Sequence, residues 1–223
     1  MPRHILVLGG SSPSGLAFCL AALRDSHTLT LYIRPASLSK FPSEISTSSN
    51  VSIVTGELTN VAALEEAISN GAKTCVSFLG PAAPMNRGSM PITDGYKIIV
   101  TLLQKYQYTR TLMLSTASYK APEDTFSLVY WLMVMMVYLA MRPGYDEING
   151  FTPLITSTSA VELGWTVFRV PLLKDGDAVP VKAGFVGGMG LRVGLERRAL
   201  AEWVLGEMEE GKWVGKCPAV ANA

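Results

Sequence analysis

The sequence predicts an α/β fold: a doubly wound, mostly parallel sheet covered by helices on both faces. Two observations predict it. Short apolar runs alternate with alanine- and leucine-rich helical stretches in the order β-α-β-β-α-β-α-β, and the first run ends directly in glycines. Residues 5–8 are apolar without alternation, as a strand buried on both faces requires. Residues 13–23 read as a helix, and residues 28–33 and 51–54 as the second and third strands. Asn60 suits the N-cap of a helix over 61–69 that ends near Gly71. Residues 74–79 and 111–114 give the fourth and fifth strands, with an apolar-periodic helix around 94–106 between them. Residues 165–170 make a sixth strand and 195–210 an amphipathic helix. No repeat, low-complexity tract or linker divides the 223 residues, so one domain is expected, with a cofactor half (1–120) and a substrate-side half (121–223). Right-handed crossovers would line up the loops after the strands along one edge, where such sheets bind ligands.

Composition narrows the function. Hydrophobic residues at 48% and charged residues at 17% mark a chain able to bury a core. Nineteen basic against eighteen acidic residues, with no block of like charge, give no basic surface for nucleic acid. Cys19, Cys75 and Cys217 form no CxxC pair, and His4 and His27 complete no ligand spacing, so three reduced buried thiols and no metal site are expected. The chain enters its first strand without room for a signal or transit peptide, which predicts a cytoplasmic protein.

The strongest motif is Gly9-Gly-Ser-Ser-Pro-Ser-Gly15, between the first strand and first helix. A dinucleotide phosphate needs a tight turn, close backbone approach and free N–H groups at a helix N-terminus. Gly9 suits the turn and Gly15 the close packing of helix on strand. Ser11, Ser12 and Ser14 add hydroxyl donors, although a glycine would usually occupy the place of Ser12. A glycine-serine turn without ligand is the alternative, and the strand-loop-helix context weighs against it. The sheet is therefore expected to be of Rossmann type. The second strand ends in Tyr32-Ile-Arg-Pro-Ala-Ser37. An acidic residue there would take the ribose 2′-hydroxyl of NAD, whereas Arg34 suits a 2′-phosphate and Ser37 can add a hydrogen bond, so NADP is the expected cofactor. A solvated surface arginine is the competing reading of Arg34.

These residues, together with VTGELTN at 54–60, VSFLGP at 76–81, LMLSTAS at 112–118 and LGWTVFRVPLL at 163–173, carry a resemblance over nearly the whole chain. The chain resembles the atypical short-chain dehydrogenase/reductase proteins, in particular the small NAD(P)-binding group that includes flavin- and biliverdin-reductase-like enzymes. It is similar to fungal members, some tied to secondary metabolism. The resemblance implies Glu57 and Leu58 beside the adenine, and Leu79, Gly80 and Pro81 across the adenosine ribose and pyrophosphate. It also implies Ser115 and Thr116 facing the nicotinamide, with Pro171 closing the other side.

Carbonyl reduction usually pairs a tyrosine acid with a lysine four residues on, and no Tyr-x-x-x-Lys occurs here. Tyr145 is followed by Asn149, and Tyr138 by Arg142 on the same helical face. Tyr145 is the first candidate proton donor and Tyr138 the second, with ring packing the alternative for each. Ser115 is the other catalytic candidate. Flavin- and quinone-type acceptors take a hydride with the proton supplied by water, so the expected activity is NADP(H)-dependent reduction of a hydrophobic, aromatic or quinone-like small molecule. A non-catalytic NADP-binding sensor and a non-redox isomerase or cyclase are the alternatives.

Residues 128–141 carry no charge, and as a helix span roughly 21 Å, short of the roughly 30 Å hydrocarbon core, so no transmembrane segment is expected. A helix apolar all round is expected to be buried on several sides, against the sheet and against substrate or a second subunit, making a homodimer through this helix a candidate assembly and a peripheral membrane contact the alternative. Met133, Met135, Met136 and Met141 would give it an adaptable surface. Residues 181–194 hold five glycines and suit loops over the nicotinamide side or a glycine-rich hairpin. Arg197, Arg198 and Glu202 read as a solvated or ion-paired face, and Trp203 and Trp213 as core.

Overall fold

Strand β1 (His4–Leu8) sends alternate side chains to two separate cores, because strand side chains point to opposite faces in turn. Ile5 and Val7 join Phe18, Leu29, Leu31, Phe78, Phe168 and Leu200 on one face, whereas Leu6 and Leu8 join Leu64, Tyr96, Ile99, Phe151 and Val167 on the other. The computed structural model that shows this describes residues 1–81, 88–158, 160–188 and 192–223.

The remaining elements are, in chain order, α1 (Pro13–Arg24), β2 (Thr28–Ile33), a 3₁₀ turn (Pro35–Lys40), α2 (Ser43–Ser46), β3 (Val51–Thr55), α3 (Val61–Ile68), β4 (Thr74–Ser77), α4 (Pro91–Lys105), β5 (Arg110–Thr116), α5 (Leu128–Ala140), α6 (Arg142–Thr156), α7 (Ala160–Leu163), β6 (Trp165–Val170), β7 (Leu172–Lys174), β8 (Val181–Gly184), β9 (Gly194–Glu196), α8 (Arg197–Glu210) and β10 (Ala219–Asn222). The main sheet has the order β3-β2-β1-β4-β5-β6-β10-β8. Its pairs are parallel except β10 with β8, and β7 and β9 form a separate parallel pair. The order reverses between β1 and β4, which opens a crevice at their carboxyl ends. The doubly wound α/β fold is as expected. α1 and α8 cover one face, and α3, α4 and α6 the other.

Several local expectations are corrected. The helix read at 195–210 begins at Arg197, because Leu195 and Glu196 pair with Leu173 and Lys174. Residues 181–194 contribute β8 and the start of β9, and positions 189–191 lie outside the described residues. Trp203 and Trp213 are half-buried, set edge-on to Phe168 and Phe185. The largest correction concerns α5. It packs on α6 and, through Tyr130, on Val186, Ala117 and Ala219, so Tyr130 is its one buried residue. Met133, Val134 and Val137 are half-buried, and the remainder of this apolar helix is exposed among the described residues, against the expectation of burial on several sides. It bends by 112° into α6, and among the described residues no single helix is long and apolar enough to cross a membrane. The three cysteines are buried and free, as read, and Arg197, Arg198 and Glu202 are ion-paired with Asp175, Asp177 and Arg24.

Candidate cofactor and active site

The loop after β1 is held by its own backbone. Gly9 has φ +71°, and a Cβ there would lie 2.8 Å from Leu79 N, so glycine is needed for both the turn and the crossing of the β4 exit. A Cβ on Gly15 would lie 2.5 Å from Gly9 O, so the first turn of α1 rests directly on the loop. Ser12 caps α1 by accepting from Gly15 N at 3.1 Å, and its own N–H donates to Gly9 O at 3.0 Å. Its hydroxyl proton stays available to a ligand. The N–H groups of Ser11 and Ser14 have no protein acceptor among the described residues. A cradle without room for a Cβ, free N–H groups and the positive end of α1 together fit a pyrophosphate.

A cavity of about 650 Å³ opens over this loop, bounded by Gly9, Ser11 and Ser12 at its floor. Arg34 and Lys40, from the two ends of the 3₁₀ turn, stand on one wall. Both are exposed, and neither has an ion-pair partner among the described residues, whereas Arg3, Arg24, Arg110 and Arg169 are all paired. Glu57 and Leu58 line the same cavity. The Glu57 carbonyl accepts from Tyr32 Oη at 2.7 Å and from Asn60 N at 2.8 Å, and Leu58 packs onto Gly95 of α4. Burial, and next the Glu57 carboxylate, push the Tyr32 phenol up, so it remains a donor. Leu79 and Gly80 form the next wall. Leu79 N donates to Ser77 Oγ at 3.3 Å, and that oxygen shares a 2.5 Å hydrogen bond with the buried Tyr96.

Of the expected site residues, Gly9, Ser11, Ser12, Arg34, Glu57, Leu58, Leu79 and Gly80 are thus gathered around one cavity. Ser14 and Ser37 are buried beside it. Pro81 faces Gly144 of α6. Thr116 and Pro171 sit at the same sheet edge, since Thr116 pairs with Val170, and both are half-buried. Ser115 is fully buried, its hydroxyl 2.9 Å from Thr152 Oγ1. Tyr145 is half-buried one residue past Gly144, its ring edge-on to Tyr138 at 5.1 Å, and the Arg142 guanidinium lies 4.3 Å from the Tyr138 ring centre.

Two residues escaped sequence reasoning. Lys40 left a faint signal, a cation six positions after Arg34. Glu147 left none: fully buried on α6, it accepts from Ile92 N at 2.9 Å, Thr93 N at 2.8 Å and Thr93 Oγ1 at 2.6 Å, capping α4 where Met90 offers no side-chain cap. It thereby fixes Pro91 and Ile92, which line the cavity. A shallower hollow of about 420 Å³ at the opposite sheet edge, between Met1, His27 and Glu209, brings no candidate residues together, and Arg3 and Arg24 already neutralise its carboxylates.

A family model described as NAD(P)H-binding matches residues 9–210. The chain belongs to this NAD(P)H-binding family. The match begins at the first glycine of the phosphate loop and runs through α8. The NAD(P)-binding expectation therefore holds. A short-chain dehydrogenase/reductase from Veillonella parvula, solved in complex with NADP, shares the fold at 17% identity and a TM-score of 0.79, with 100% of this chain and 95% of that one covered. ChuY, an anaerobillin reductase from Escherichia coli O157:H7, aligns at 12% identity and a TM-score of 0.75 over 98% and 97% of the two chains. The oxidoreductase ylbE from Lactococcus lactis aligns at 14% identity and a TM-score of 0.74 over 99% and 91%. No curated protein matches the sequence.

Proposed function

We propose that this NAD(P)H-binding protein is an NADP(H)-dependent oxidoreductase acting on a hydrophobic, aromatic or quinone-like small molecule. The observation that carries the cofactor choice is the unpaired Arg34–Lys40 wall beside the phosphate cradle, with no acidic residue at the end of β2. Ser11, Ser12 and the N-terminus of α1 hold the pyrophosphate, while Arg34 and Lys40 hold the 2′-phosphate. Glu57 and Leu58 flank the adenine, and Leu79, Gly80 and Pro81 cross the ribose. Thr116 and Pro171 border the nicotinamide end. When bound, NADPH supplies a hydride. In this reading Tyr145, next to the Gly144 that faces Pro81, orients the acceptor, and water supplies the proton in the absence of a lysine partner. Ser115, tied to Thr152, fixes the floor beneath Thr116. The NADP-complexed relative and the anaerobillin reductase support this reading by their shared fold.

Energy transfer from tryptophan to reduced nicotinamide tests it. NADPH binding tighter than NADH binding, and lost preferentially in Arg34→Asp, is the expected result, followed by NADPH oxidation with a panel of quinones and flavins. Binding without turnover across that panel favours a second reading, a non-catalytic NADP sensor, which the missing Tyr-x-x-x-Lys pair motivates. Binding of neither nucleotide overturns the proposal.

A further inference from the structure

The face of α5 turned away from its own chain is built for a partner. Residues 128, 129, 131, 132, 135, 136, 138 and 139 fall, at about 100° per residue, within an arc of about 180° of the helix surface. Every side chain in that arc is apolar or aromatic. Leu139 is 72% exposed, Met136 68% and, just before the helix, Phe126 77%. With Trp131 and Leu132 also half open to solvent, this face presents on the order of 1,000 Å² of apolar surface, beyond the roughly 300–600 Å² of the largest patch on an ordinary monomer. It also exceeds the roughly 800 Å² per partner of a standard interface.

Three occupants compete, and charge and shape decide among them. A small molecule needs a concave pocket, and this surface is a convex helix. A lipid surface is recognised by apolar faces bordered with clustered cations, roughly four to eight of them. α5 itself has none, and Arg142 at its end is clamped by Asp146 at 2.8 Å. An uncharged apolar stripe is complementary to itself, and a two-fold axis brings the same patch of two subunits together. We infer that the α5 face binds a second copy of this chain, forming a symmetric dimer in which Trp131, Leu132, Met136 and Leu139 are buried against their counterparts.

Sedimentation velocity on the full chain across the micromolar range tests the inference. The wild type is expected to sediment as a dimer whose fraction rises with concentration. Met136→Glu/Leu139→Glu is expected to sediment as a monomer with unchanged far-UV circular dichroism and unchanged NADPH affinity, because α5 lies outside the phosphate cavity. Leu132→Glu, a single change in the same arc, gives an independent reading should the double variant lose its circular dichroism signal. A wild type that is monomeric throughout overturns the dimer. So does a monomer that floats with neutral phosphatidylcholine vesicles and loses that property in the variants, which would make the occupant a bilayer.

Discussion

Gly9 does two things that no other residue type does at its position: it adopts φ +71° and leaves clear the place where a Cβ would lie 2.8 Å from Leu79 N at the β4 exit. Gly9→Ala is expected to cost about 1–2 kcal/mol from the left-handed backbone alone, read as a lower urea midpoint, and to weaken NADPH binding as the loop shifts. The buried thiols set a second expectation at this scale. Burial pushes Cys19 up to about 12 and Cys217 up to about 11, from an ordinary value of 9.0. The native state keeps these protons where the unfolded chain has already lost them. Their contribution to stability is therefore whole below pH 9 and disappears as pH rises through the window from 9 to about 12. Urea midpoints measured across that window should fall, and fall less in Cys19→Ala/Cys217→Ala. The loop residues and Arg34 were legible because their chemistry is local, a turn and a strand end. The burial of Ser115 was not, since its partner Thr152 comes from a helix 37 residues away.

At the level of elements, α4 takes its N-terminal cap from α6 instead of from its own sequence. Glu147→Ala leaves the N–H groups of Ile92 and Thr93 without that acceptor, at about 1–3 kcal/mol for the buried Thr93 group and less for the half-buried Ile92. Glu147→Gln keeps one carbonyl oxygen and should lose less, a ranking that denaturant unfolding of both variants checks. The cap also spends the positive end of α4 on a protein carboxylate, so the cavity keeps one attractive helix end, at α1, for the anion it binds. Helix positions were readable from periodicity throughout the first half. The short strands β7, β8, β9 and β10 were not, because three or four residues carry no period and pair only with distant partners. For α5 composition named a buried helix correctly as a helix. It did not say that most of its surface lies open among the described residues.

On the scale of the whole molecule, one buried ion pair ties several segments between residues 119 and 217 together. Arg169 on β6 holds Asp124 with two hydrogen bonds of 2.5 and 2.7 Å, and Asp124 also accepts from Ala121 N and Val186 N. Arg169 further donates to the carbonyls of Cys217 and Tyr119. Asp124→Ala strands a fully buried guanidinium and is expected to cost about 3–5 kcal/mol, with faster amide exchange around Val186 than around the phosphate loop. The doubly wound architecture was legible because each βα unit repeats the same local grammar, and the sheet order from β3 to β6 follows from it. The far edge follows different rules. β10 lies between β6 and β8, parallel to one and antiparallel to the other. A ribosome has therefore delivered every strand of the phosphate cradle by the time Thr116 emerges, while β8 waits, unpaired, for Ala219–Asn222 to be translated. During that interval the chain exposes an open strand edge that a chaperone, or a neighbouring nascent chain, can reach first.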